Sequence, residues 1–311
     1  MRTLITCGAG FIGSNVVDRF IADWHDVAIV DNLVTGRRAN LNPQARLFEQ
    51  DITDIAAMRA AFADFRPEVV IHFAAQMDIR KSVADPGYDA RNNIIGSLNL
   101  IQYAIETGVG KFIYASTGGA VYGEPENLPV DETHPINPIS QYGISKHTVE
   151  HYLYLYNRLD GLRYTVLRYA NVYGPRQNPH GEAGVNAIFA GMMLRGETPT
   201  IFGDGTKTRD YVYVGDVVQA NVLALTLGDG EIMNIGTGVQ TTDQEVYDAV
   251  AAAVGFDKHA QLGDERKGEI RHIALDASKA RRILGWEPTV PFREGVRRNV
   301  EYVRETLDGK R

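Results

Sequence analysis

Short apolar runs rich in β-branched residues punctuate the first half of the chain, at Thr3–Thr6, Val27–Val30, Leu47–Glu49, Val69–Phe73, Lys111–Ala115 and Tyr164–Arg168. Between them lie longer stretches with helical patterning, Ile12–Ala22, Ile55–Phe65, Asp89–Thr107 and Tyr142–Leu159, and Gly108 and Gly161 stand where helices stop. Strand and helix in alternation predict an α/β fold built on a doubly wound parallel sheet.

From about Val172 the composition turns to Gly, Pro and Asn, in the run Gly174 to Gly181, which predicts a loop and a domain boundary. A first domain is therefore expected over 1–171 and a smaller α/β domain mainly over 172–311. Ile232–Ile235 again reads as a buried strand, so 212–242 is expected to return to the first domain and the two are expected to interleave. A last helical region runs from Asp243 to Asp308.

Bulk properties narrow the classes. A chain of 311 residues suffices for such a pair, and 44% hydrophobic with 23% charged residues exclude a disordered or fibrous chain. A net charge of −7 argues against a nucleic-acid backbone as partner, so any phosphate bound should be small. With Cys7 as the single cysteine, no intramolecular disulfide can form. Met1 to Thr6 run into a strand with no secretory apolar region and no run reaches membrane-spanning length, which predicts a cytoplasmic location.

Thr6-Cys7-Gly8-Ala9-Gly10-Phe11-Ile12-Gly13 follows the first strand and opens the first helix. Glycines there let the backbone approach a pyrophosphate, and the helix N-terminus offers free N–H groups and partial positive charge. Asp31 ends the second strand, where a carboxylate accepts hydrogen bonds from the adenosine ribose and repels a 2′-phosphate, which favours NAD over NADP. Ligands of open α/β sheets bind beyond the carboxyl ends of strands, so Asp51, Ala74-Ala75-Gln76, Ser116-Thr117 and Tyr169-Ala170-Asn171 are further candidates.

Tyr142 and Lys146 are one helical turn apart, hence on one face. A free phenol titrates near ~10. A neighbouring ammonium together with a positively charged nicotinamide would stabilise the phenolate and make a base of Tyr142. Ser116 or Thr117 could hold the reacting oxygen or relay a proton.

These segments, Thr6 to Ser14, Ser116 to Gly123, Tyr142 to Lys146 and Leu167 to Asn171, resemble the extended short-chain dehydrogenases/reductases, and within them the NAD-dependent epimerase/dehydratase family. The resemblance spans essentially the full chain, since Ile201 to Tyr211 and Arg266 to Glu269 resemble the family's nucleotide-binding segments. It implies a Rossmann domain holding NAD and a nucleotide-sugar 4-epimerase that interconverts UDP-glucose and UDP-galactose, with N-acetylated sugars as a further class. By the same resemblance Tyr142 is the base, Lys146 holds the nicotinamide ribose, and Thr117, with Ser116 as the alternative, bonds the reacting oxygen. The implied cofactor contacts are Gly8, Gly10, Phe11, Ile12, Gly13, Asp31, Asn32, Gly36, Asp51, Ile52, Ala74, Ala75, Gln76, Asn93, Tyr142, Lys146 and Tyr169. The implied UDP-sugar contacts are Thr117, Asn171, Arg209, Arg266 and Glu269, and a homodimer is implied through the helices Asp89–Thr107 and Tyr142–Leu159.

The chain departs from the family pattern at three places. Cys7 stands where the first glycine of the phosphate loop is usual, and Gly118-Gly119 stand where related dehydratases carry an Asp-Glu acid and base. Ile273 replaces a tyrosine that excludes N-acetylated sugars in some members. Another nucleotide-sugar epimerase, a dehydratase or a decarboxylase of the same superfamily is the alternative within the resemblance, and two other readings compete. His147-Thr148-Val149-Glu150-His151 matches a zinc-peptidase string, although the resemblance implies no metal, and a non-catalytic NAD-binding sensor would keep the fold without the chemistry.

Overall fold

The computed structural model describes residues 1–179, 184–265 and 270–309. Six strands of the first half, β1 (Arg2–Thr6), β2 (Asp26–Asp31), β3 (Arg46–Glu49), β4 (Val69–His72), β5 (Lys111–Thr117) and β6 (Tyr164–Tyr169), form a parallel sheet with the later strand Glu231–Ile235. The order is Glu231–Ile235, β6, β5, β4, β1, β2, β3, so the winding reverses between β1 and β4, where Thr6 lies opposite His72. A crevice forms at such a reversal beyond the carboxyl ends of the strands, and this positions the site.

Alternation along each strand sends neighbours to opposite faces, and both faces are apolar. Ile5, Ile29, Ile71, Ile113 and Leu167 pack on one side with Val17 and Phe20 of the helix Phe11–Ala22 and Val217 of the helix Val214–Ala224. Leu4, Val70, Phe112 and Tyr114 pack on the other with Phe62 of Ile55–Phe65, Leu100 of Gly96–Glu106, and Val149 and Leu153 of Gln141–Asp160. Each such aliphatic or phenyl side chain contributes roughly 1.5–3 kcal/mol on full burial. A third apolar cluster, including Tyr173, Phe189, Ile201, Tyr211, Val250 and Val300, lies among the helices Val185–Leu194, Asp243–Val254 and Phe292–Leu307.

The structure corrects the expected elements in three respects. Ser116 and Thr117 lie within β5 and Tyr169 within β6, not beyond them. The helix expected over Asp89–Thr107 is Pro86–Ala90, a π turn at Arg91–Ile95, then Gly96–Glu106; the wider turn, of the kind often found at functional sites, carries Asn93. The region from Asp243 to Asp308 is divided, because Gly255 and Gly285 adopt positive φ and stop helices, and the strand Gln261–Gly263 pairs with Thr200–Phe202 between them. Among the described residues no helix is long and apolar enough to cross a membrane.

Candidate active site

The glycine loop after β1 is shaped by close backbone approach. A Cβ on Gly8 would come under 3.0 Å from Ile29, and on Gly13 under 3.0 Å from the carbonyl of Cys7, so both positions admit only glycine without movement. Helix Phe11–Ala22 has no side-chain cap and no acidic residue in its first turn. Its first amides therefore face outward with the dipole's positive end and no competing carboxylate, a fit for a pyrophosphate. Cys7, at φ 55°, is the non-glycine residue that takes the left-handed turn here, and its sulfur occupies the space beside Gly10. Burial, then the Asp31 carboxylate, push its thiol up to about 12.

Thr6 and Asp31 tie this loop to its neighbours. Thr6 Oγ1 lies 2.7 Å from Nδ1 of buried His72 and accepts from the amides of Phe73 and Ala74 at 3.0 and 2.9 Å, fixing the chain as it leaves β4. Asp31 accepts from the amides of Ala9 at 2.9 Å and Leu33 at 2.8 Å, and Gly36 passes so close that a Cβ there would strike its carboxylate. A carboxylate holds about four acceptor positions, so capacity remains for ribose hydroxyls. Asn32 donates to Asp51 at 2.7 Å. Burial raises the Asp51 carboxyl, but hydrogen bonds from Thr53 and Asn32 outweigh it and hold it below its ordinary value. Ile52 is buried under Gly96, and its carbonyl accepts from Asn99.

Gln76 and Asn93 join the β4 end to the helix bearing the Tyr-Lys pair. Asn93 Oδ1 accepts from the Gln76 amide at 2.7 Å, while its Nδ2 lies 2.9 Å from the Gln76 carbonyl, 3.0 Å from Ser145 Oγ and 3.2 Å from Asp89. The cofactor role implied for Asn93 is thus accompanied by a latch that holds Ser145, the residue before Lys146.

Helix Gln141–Asp160 is capped by Ser140, whose hydroxyl accepts from the Gly143 amide. A Cβ on Gly143 would meet the Ala120 carbonyl under 3.0 Å, so the helix start presses against the segment after β5. Lys146 is buried, donates to the Ala115 carbonyl at 2.8 Å and stands 4.7 Å over the Tyr114 ring. Burial lowers its ammonium to about 8, with Cys7, Asp89 and Glu150 pulling the other way. The Tyr142 phenol is not lowered by the protein's own charges: burial, then Asp89, push it above its ordinary value. Positive charge beside the hydroxyl would lower it, and the nicotinamide of a bound cofactor is the cation expected to supply that charge. Among the described residues no group hydrogen-bonds the Tyr142 hydroxyl, which leaves it available to a ligand.

The two candidate hydroxyls on β5 part company. Ser116 is buried and donates to Glu150 at 2.5 Å, and Glu150 is paired with Arg168 of β6 at 2.5 Å. Thr117, on the opposite face, is half-buried and stands with Asn171 about the space that Gly119 leaves empty. A Cβ on Gly119 would lie 3.6 Å from Asn171 Oδ1 and 3.9 Å from Thr117 Oγ1. Gly118 has no such room, because Leu275 closes on it.

Other expected residues are more scattered. The Tyr169 ring is buried and its hydroxyl bonds Asn221, so only its backbone can serve a ligand. Arg209 donates to the carbonyls of Thr208 and Arg271, and among the described residues it has no carboxylate partner. Arg266 and Glu269 lie outside the described residues. Ile273 is a buried core member. Glu150 of the peptidase-like string is turned into the core toward Arg168 and cannot activate a water on a metal between His147 and His151. Asp89 escaped the sequence reading, and Glu150 entered it only as part of the peptidase-like string, not as a partner of Ser116 and Arg168. Burial, at 1% and 2% exposure, is what sets these two carboxylates apart.

A parallel sheet with a glycine-lined phosphate loop at its reversal, and a Tyr-Lys helix across the crevice, define a dinucleotide-dependent enzyme of the short-chain type. The chain belongs to the NAD dependent epimerase/dehydratase family, whose model matches residues 3–236. It is 45% identical to the UDP-glucose 4-epimerase of Mycolicibacterium smegmatis, over 98% of this chain and 99% of that protein. The structure is similar to that of the UDP-glucose 4-epimerase of Thermotoga maritima with UDP-glucose, with a TM-score of 0.97 and 52% identity over 99% of this chain and 100% of that one. It is also similar to the UDP-glucose 4-epimerase of Thermus thermophilus in complex with NAD, with a TM-score of 0.93 and 46% identity over 98% and 99% of the two chains.

Proposed function

We propose that this chain is an NAD-dependent UDP-glucose 4-epimerase that interconverts UDP-glucose and UDP-galactose through a 4-keto sugar. The observation that carries the reading is the anchoring of Lys146 on the carbonyl of Ala115, which sets the Tyr-Lys helix against the strand that ends in Thr117. NAD, when bound, supplies a reversible hydride acceptor for sugar carbon 4. Tyr142 takes the proton of the 4-hydroxyl and later returns it. Thr117, not Ser116, hydrogen-bonds the reacting oxygen, since Ser116 is committed to Glu150. Lys146 holds the nicotinamide ribose and offsets the charge of the phenolate.

Gly8 to Gly13, Asp31, Asn32, Gly36, Asp51, Ile52 and Ala74 to Gln76 form the cofactor side, with the pyrophosphate on the first amides of helix Phe11–Ala22. Asn171, Arg209, Arg266 and Glu269 form the nucleotide-sugar side, the arginines suited to a diphosphate by their forked donors. Residues 1–171 with 212–242 act as the NAD domain and the remainder of 172–311 mainly as the substrate domain. Gly118 and Gly119 offer no acid or base for eliminating water, which weighs against a dehydratase. The protein acts in the cytoplasm and as a homodimer, the pairing supported by exposed Ile144, Tyr154, Leu155 and Leu159 along one face of helix Gln141–Asp160. The test is a panel of UDP-sugars, with and without N-acetyl groups, incubated with purified protein and with Tyr142→Phe. Interconversion of glucose and galactose forms by the parent alone is expected. Turnover of no UDP-sugar would overturn the reading in favour of a sensor.

A further inference from the structure

His147 and His151 sit one turn apart on helix Gln141–Asp160, and their Nε2 atoms face each other at 3.0 Å. Nδ1 of His147 lies 3.1 Å from Oε2 of Glu150, which is ion-paired with Arg168 and also accepts from Ser116. A carboxylate so held accepts the Nδ1 proton of His147 and leaves its Nε2 as a lone pair. This is the arrangement by which an outer carboxylate orients a metal-bound histidine. Two imidazole nitrogens bound at about 2.1 Å to one ion stand roughly 3.0 Å apart at a right angle and roughly 3.4 Å apart in a tetrahedron. The observed separation suits both with little movement.

We propose that His147 and His151 form a binding site for a divalent transition metal of the zinc, nickel and copper class on the outer face of the catalytic helix. Imidazole ligands select these ions over magnesium and calcium, which take oxygen. Among the described residues no set of three or more His, Cys, Asp or Glu side chains is grouped to hold a metal, so one chain supplies two ligands and the remaining positions are open. An ion held this way is exchangeable, unlike one in a closed structural site. His151 lies on the same helical face as Ile144, Leu155 and Leu159, the face offered above to a second copy. In a pair of chains the open positions can be filled by water or by the other copy's histidines, giving one ion per chain or one per two chains.

The experiment uses the full-length protein, freed of any affinity tag and stripped with chelator, titrated calorimetrically with Ni²⁺, Zn²⁺ and Mg²⁺. Saturable binding of nickel and zinc, but not magnesium, is expected at either stoichiometry. His151→Ala should weaken binding by more than the ~10-fold that loss of even an outer partner costs, while thermal midpoint without metal and epimerase turnover stay as in the parent. His147→Ala should do the same to the metal. No saturable binding at millimolar metal, or binding unchanged in His151→Ala, overturns the site. Neither result bears on the epimerase reading, which is read from turnover without added metal.

Discussion

As the proposed base, Tyr142 would begin from a disfavoured position, since burial and Asp89 push its phenol above its ordinary value. On the proposed reading its basicity would depend on positive charge in the crevice, from Lys146 and a bound cofactor. Tyr142→Phe should lower kcat by about 10²–10⁴ with nucleotide-sugar binding retained, and unchanged kcat would remove the phenol from the mechanism. Lys146 sits at about 8 because burial disfavours its charge. As pH rises through that value the ammonium is lost, so turnover should fall on the basic side of about pH 8, and a rate flat to pH 10 would contradict this. For stability the sign is opposite: the folded value lies below the ordinary 10.5, so the cost of burying the charge is full below about 8 and fades toward 10.5. Cys7 holds a left-handed turn that disfavours any side chain. Cys7→Gly should raise unfolding free energy by roughly 1 kcal/mol and tighten NAD binding, measured by thermal shift and titration.

At the scale of elements, helix Gln141–Asp160 is held to the sheet by polar contacts as well as by Val149 and Leu153. Arg168 on β6 grips Glu150, and removing one partner of such a pair costs about 3–5 kcal/mol, the loss expected for Arg168→Met in denaturant unfolding. Burial raises the Glu150 carboxyl, but bonds from His147, Arg168 and Ser116 outweigh it and bring it to about 2. Its stabilisation is therefore present above 4.5 and lost as pH falls from there toward 2. The strands and the helices around them were legible because apolar runs and glycine stops act locally; Ile55–Phe65 has the bounds its pattern predicts. The π turn at Arg91–Ile95 was not, since it gathers Gln76, Asp89 and Ser145 from separate segments. Nor was the parting of Ser116 from Thr117, which hinges on Glu150 lying two helical turns beyond Tyr142 and turned inward.

At the scale of the molecule, a loop at one end of the sheet and a helix on one face meet because the strand order reverses between β1 and β4. The signature of this meeting is local in sequence, in Gly8 to Gly13 and Tyr142 to Lys146, which is why the crevice could be read before its walls. The sugar's side of it was less legible, because Asn171 and Arg209 sit on strands of three and two residues placed by partners distant in sequence, Asn171 by Tyr211 and Arg209 by Thr241. A paired molecule should separate when Ile144 and Leu155 are both made aspartate, and sedimentation of the parent as a monomer would dispose of the dimer. The most direct measurement of the central proposal uses UDP-galactose carrying deuterium at carbon 4. If hydride leaves and returns at that carbon inside one closed crevice, the UDP-glucose formed keeps the label at carbon 4 even in ordinary water. Label lost to solvent, or no UDP-glucose formed, would contradict it.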